Sequence, residues 1–175
     1  KADGPQRRVY IEHVRMEPID PQTNGPQLFY GLRYHTHINT PDEKITFHDQ
    51  VGYWLWEPAT GLIMQSLTIP RGQVVLAAGH AKPGDKKISV SAKRGDPRYG
   101  ICSTEFLDEA FRTTTYRCDI TFNDDGSWTY NLYTELIVHG KPFDHHDTNT
   151  LKLVAAPTLN PLDIIVRDDA KNAKK

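Results

Sequence analysis

Cysteine is nearly absent from the chain: among 175 residues only Cys102 and Cys118 occur, with no C-x-x-C or Cys/His finger spacing. One pair cannot supply the multi-bridge framework of small secreted domains, and the spacing excludes a zinc finger. A reducing compartment is expected, with the cytoplasm as the default. Long apolar runs are also missing. None approaches the ~20 residues that a membrane helix needs, and no basic-then-apolar leader opens the sequence. Charge of one sign is not in excess either. Lys and Arg total 21 against 22 Asp and Glu, which argues against nucleic acid or an anionic membrane surface as a partner. The patterns G-x-S-x-G, G-x-x-x-x-G-K-[ST] and H-E-x-x-H do not occur. Nucleophile-elbow, phosphate-loop and zincin chemistry are therefore not expected.

Helical periodicity is scarce as well. The best candidate is Ser103–Ala110, with Ser103 as N-cap and Phe106, Leu107 and Ala110 as its apolar side. Alternation of period two fills the rest. Its clearest case sets Tyr116, Cys118, Ile120 and Phe122 against Arg117, Asp119 and Thr121, and Asn123–Gly126 then makes a hairpin turn. The following strand carries Tyr130, Leu132, Thr134, Leu136 and Val138 on one face. A last strand runs from Asp144 to Val154. Upstream, Leu28, Tyr30, Leu32, Tyr34 and Ile38 share a face, opposite Arg33, His35 and His37. Further strands are expected over Arg8–Met16, Ile45–Trp56, Ile63–Ile69, Val74–Ala81 and Lys87–Ala92.

Sequential hairpins of this kind predict an all-β fold. The natural form is an up-and-down antiparallel β-barrel, calycin or lipocalin-like, of about nine to ten strands with one short helix, since closure removes exposed edges. A β-sandwich is the alternative. One ligand-binding domain is expected over residues 7–155, with a strap and a charged tail over 156–175. A barrel somewhat wider than its side-chain filling encloses one small ligand.

Histidine is the conspicuous residue, with eight copies. His35 and His37, two apart on one face, have chelating geometry but share that face with Arg33 and Asn39, which reads as a solvated exterior. His80 falls in register with Val74, Leu76 and Ala78 and is expected to point inward. His13 and His139 carry no signal. Asp124-Asp125 is a carboxylate pair in a turn. His145-His146 opens the last strand between Asp144 and Asp147. There an imidazole can hold iron while a carboxylate fixes its tautomer, or the pair can be a solvated strand end.

Gly140-Lys-Pro-Phe-Asp-His-His-Asp-Thr-Asn-Thr-Leu151 resembles the last-strand pattern of the nitrobindins, G-x-P-L-x-x-H-L-x-A-x-L. Phe47-His-Asp-Gln-Val-Gly-Tyr-Trp54 resembles their H-x-E-x-G-Y-[WF] motif. The resemblance covers most of residues 8–154 and extends to heme-binding barrels that look like fatty-acid-binding proteins. It implies a b-type heme at the barrel mouth and reaction with nitric oxide or peroxynitrite at the open side of the iron, a peroxynitrite-isomerase-like activity. Residue by residue, it places His146 on the proximal ligand, with His145 as the second candidate. His48 falls on the distal side with Phe47 beside it, and Leu132 and Leu136 belong to the apolar wall.

This sequence departs from the family pattern in four places. The early G-x-W-x-G motif is absent, Gln50 replaces Glu, and Asp147 replaces Leu after the ligand. Strand parity also places Leu151 and Leu153 on the face of His145 rather than His146. The competing reading is a carrier of a fatty acid or another lipophilic ligand without heme, its carboxylate paired with Arg112, Arg117 or Arg33.

Overall fold

The computed structural model describes residues 8–157. In order along the chain these form β1 (Ile11–Pro18), β2 (Gln22–Asn24), β3 (Gln27–Asn39), β4 (Thr46–Glu57), β5 (Leu62–Ile69), β6 (Gln73–His80), β7 (Lys87–Lys93) and β8 (Ile101–Ser103). The helix α1 (Glu105–Ala110) then leads into β9 (Phe111–Phe122), β10 (Trp128–Val138) and β11 (Lys141–Leu151). One curled antiparallel sheet runs β1-β3-β4-β5-β6-β7-β9-β10-β11, with β2 attached to β3 and β8 to β6. This is the all-β, up-and-down barrel meander that the alternation predicts. The two strands beyond the expected count, β2 and β8, have three residues each, too few to show a period. From residue 158 onward the expected strap and tail lie outside the described residues.

Register decides which side chains fill the concave face. Tyr34 lies opposite Gly52, Gly52 opposite Leu67, and Leu67 opposite Val75. Val90 lies opposite Cys118, and Cys118 opposite Leu132. The buried cluster collects these with Trp54, Ala77, Ala92, Ile101, Tyr116, Ile120 and Tyr130. Glycine is required at position 52, where a Cβ would stand 1.9 Å from the Ser66 carbonyl oxygen.

Two expectations need correction. His80 does not point inward: Val75 and Ala77 take the core side of β6, while Val74 is 44% exposed and His80 is exposed. Residues 74–78 are apolar on both faces, so alternation could not choose, and pairing with Leu67 and Gln65 did. Helix α1 has Thr104 at its N-cap position without a side-chain cap bond, buries none of its residues, and leaves Phe106 66% exposed. Ser103 instead ends β8, where its hydroxyl donates to Gln73 and accepts from Arg94.

The two ends of the sheet are β1 and β11. Among the described residues no backbone ladder joins them, and side chains bridge the seam instead. Tyr130 Oη donates to Glu12 Oε2 at 2.7 Å, Asn149 Nδ2 donates to the same oxygen at 2.9 Å, and Tyr10 Oη meets Tyr130 Oη at 3.1 Å.

Candidate functional site

The hairpin between β10 and β11 sets the geometry of the histidine pair. His139 and Gly140 both have positive φ, 47° and 76°, the form of a two-residue turn whose twist matches its strands. Val138 therefore pairs with Lys141, which brings Thr134 opposite His145 and Tyr133 opposite His146. Thr134 is also the partner of buried Tyr116, so His145 takes the concave face. His146 stands on the convex face. Its ring stacks on Tyr133 with centroids 4.4 Å apart and planes 11° apart, and the Arg117 guanidinium lies 4.3 Å from the Tyr133 centroid.

His145 is half-exposed at the mouth, and its Nε2 is 2.9 Å from Asp147 Oδ2, two residues on along the same face. That hydrogen bond holds the imidazole above its usual pKa against the opposing effect of partial burial. Phe143 stacks loosely on His145 at 6.5 Å and is 52% exposed. Leu132 and Leu136 share the inward face: Leu132 lies opposite buried Cys118, and Leu136, past a bulge, opposite buried Thr113. Inward-facing His145, Leu132, Leu136 and Phe143 thus form an imidazole beside an apolar wall.

Across the seam, His48 lies opposite Ile38, and Ile38 opposite Glu12. Burial raises the Glu12 carboxyl above its ordinary range, opposed by hydrogen bonds from Asn149 and Tyr130; the Asp147 charge adds to the rise, and His48 counters it. Burial likewise lifts the Tyr130 hydroxyl, and Glu12 adds to that shift. Phe47 occupies the bulge where β3 and β4 change register. The Arg8 guanidinium lies 5.8 Å from its ring centroid, and its carbonyl accepts from Arg71.

The other candidates lie elsewhere. His35 and His37 are on the convex face, bonded to Asp49 and Thr46. Among the described residues no group of three His, Cys, Asp or Glu is placed to hold a metal ion. Asp125 closes its own turn through Ser127, and Asp124 pairs with Lys86. Cys118 is buried, its thiol pushed up to about 12 chiefly by burial, and Cys102 is exposed and free. The three arginines considered as carboxylate anchors are engaged elsewhere: Arg33 with Glu17, Arg117 with Asp119, and Arg112 with the Asp108 carbonyl.

Glu12, Tyr10 and Asn149 escaped the sequence reading. Glu12 did carry a signal, since a carboxylate in step with Val14 and Met16 breaks an apolar face. No helix among the described residues is long and apolar enough to cross a membrane. No curated protein matches the chain. A family model, the THAP4-like, heme-binding beta-barrel domain, matches residues 3–152. With the barrel meander and the nitrobindin-like motifs, that match establishes that the chain belongs to the THAP4-like heme-binding β-barrel family.

Proposed function

We propose that this chain binds a b-type heme at the barrel mouth through a single imidazole at the start of β11. The observation that carries the reading is the hairpin register, which turns His145 inward beside Leu132, Leu136 and Phe143. Asp147 holds Nε2 of that ring, leaving Nδ1 as the donor, and a carboxylate behind a ligating imidazole is the usual orienting partner. The donor set and the wall suit a macrocycle with one axial histidine. His146, which the motif alignment favours, is committed to the Tyr133 stack on the other face.

When bound, the heme would supply iron for reaction with nitric oxide or peroxynitrite, and the chain would supply the imidazole donor and the polarity of the mouth. His48 and Glu12 supply that polarity, and Phe47 stands at the rim. A hemin titration followed by Soret absorbance tests the proposal. Saturation at one hemin per chain is expected, with affinity falling as acid protonates His145. Weak, unsaturable binding would overturn it.

A further inference from the structure

A hydrogen-bonded chain runs from the mouth into the barrel. His48 Nε2 lies 3.1 Å from Gln50 Oε1, and Gln50 Nε2 lies 2.7 Å from Tyr34 Oη. Tyr34 Oη is 3.2 Å from both the Ser66 carbonyl oxygen and Gln65 Nε2, and Tyr116 Oη is 2.7 Å from Gln65 Oε1. Tyr34, Gln65 and Tyr116 are 3%, 5% and 7% exposed. An unmade bond in that part of the chain therefore carries a full desolvation penalty.

The donors can be assigned by elimination. The Ser66 carbonyl has no hydrogen to give, and the bare backbone of Gly52 lets it stand close to the chain. Tyr34 therefore spends its only hydroxyl hydrogen on Ser66 and can only accept from both glutamines. Gln65 then presents Nε2 to Tyr34 and Oε1 to the Tyr116 hydroxyl, so every group is satisfied. Gln50 must likewise turn Nε2 to Tyr34. The reverse orientation would set two oxygens 2.7 Å apart with no hydrogen between them. Its Oε1 then faces His48, and an oxygen without hydrogen requires that His48 Nε2 carry one.

We propose that Gln50 and Tyr34 are positioning residues that lock His48 as the Nε2–H tautomer, so that its Nδ1 lone pair is what the mouth offers a ligand. Among the described residues Nδ1 has no hydrogen-bond partner. A group that meets it must bring its own hydrogen, as a hydroxyl, a water or an undissociated peroxy acid does. A bare carboxylate or halide finds a lone pair there. The inference deepens the mouth's role in the heme reading, but it concerns the chain without heme, so either can fail alone.

Long-range ¹H–¹⁵N correlation of the heme-free chain tests it at about pH 8, where an ordinary imidazole is neutral. His48 is assigned by comparison with His48→Gln. The expected result is a nearly pure Nε2–H tautomer. Gln50→Leu removes the acceptor at a half-buried position, and the preference should collapse to a mixture. An Nδ1–H or mixed tautomer in the unaltered chain, or a tautomer unmoved by Gln50→Leu, would overturn the proposal.

Discussion

The arc of strands from β4 to β9 and the seam between β1 and β11 hold the same barrel by different means. In the arc, long backbone ladders join β4 to β5, β5 to β6 and β7 to β9, with a single bridge from β6 to β7 at Ala78 and Ser91. The concave face there is packed with Leu67, Val75, Ala77, Val90 and Ala92, each at most 3% exposed. At the seam, Glu12, Tyr130, Asn149 and Tyr10 hold the ends with a few hydrogen bonds. Packed apolar surface is stabilising but offers no chemistry, whereas the seam carries titratable groups of perturbed proton affinity beside the histidines. Stability is thus concentrated in the arc, and the heme site proposed above lies at the less tightly held edge, where local opening is easiest.

Substitutions on the two sides should separate these roles. The largest effect belongs to Leu67→Ala in the arc, which should cost about 2–5 kcal/mol by denaturant unfolding and leave the seam bonds intact. Tyr130→Phe removes the hydroxyl that Glu12 accepts from, at about 1–3 kcal/mol. Its signature is local: amide exchange in β1 should accelerate more than in β6. Equal acceleration in both strands would erase the contrast between arc and seam.

Glu12→Gln sharpens the contrast through pH. The folded chain holds the Glu12 proton more tightly than the unfolded chain, whose carboxyl titrates near 4.5. Its stabilising contribution is therefore full below that value and lost as pH rises through the raised folded value. The variant should be more stable than the parent at neutral pH, with the gap closing in acid. A constant gap across that range would contradict the buried-carboxyl account. The smallest effect is on the convex face. Arg117→Ala removes an exposed cation–π contact and the exposed ion pair with Asp119 and should cost at most about 1 kcal/mol, with hemin binding unchanged.

The fold was legible wherever one face of a strand is clearly more apolar than the other. β9 shows it best, where Tyr116, Cys118 and Ile120 alternate with charged partners and are all buried. Legibility failed on β6, apolar on both faces, and on the stretch around α1, where residues suited to capping follow each other at Ser103 and Thr104. At the site, parity already grouped His145 with Leu151, and the paired register agrees: Leu151 lies opposite Trp128, on the face of Tyr130. Motif alignment favoured His146 because it compares letters in order, while side-chain direction depends on the turn that fixes register. The seam bonds were illegible because Glu12 and Asn149 stand 137 positions apart, and nothing local announces which distant strands will meet.

The central claim is that register, through the His139-Gly140 turn, gives the inward position to His145. Hemin titration of His145→Ala and His146→Ala side by side, followed by the Soret band, tests it most directly. The account predicts that saturable binding is lost in His145→Ala and kept in His146→Ala. Loss in His146→Ala with full retention in His145→Ala would contradict it and return the ligand to the residue that the motif alignment favours.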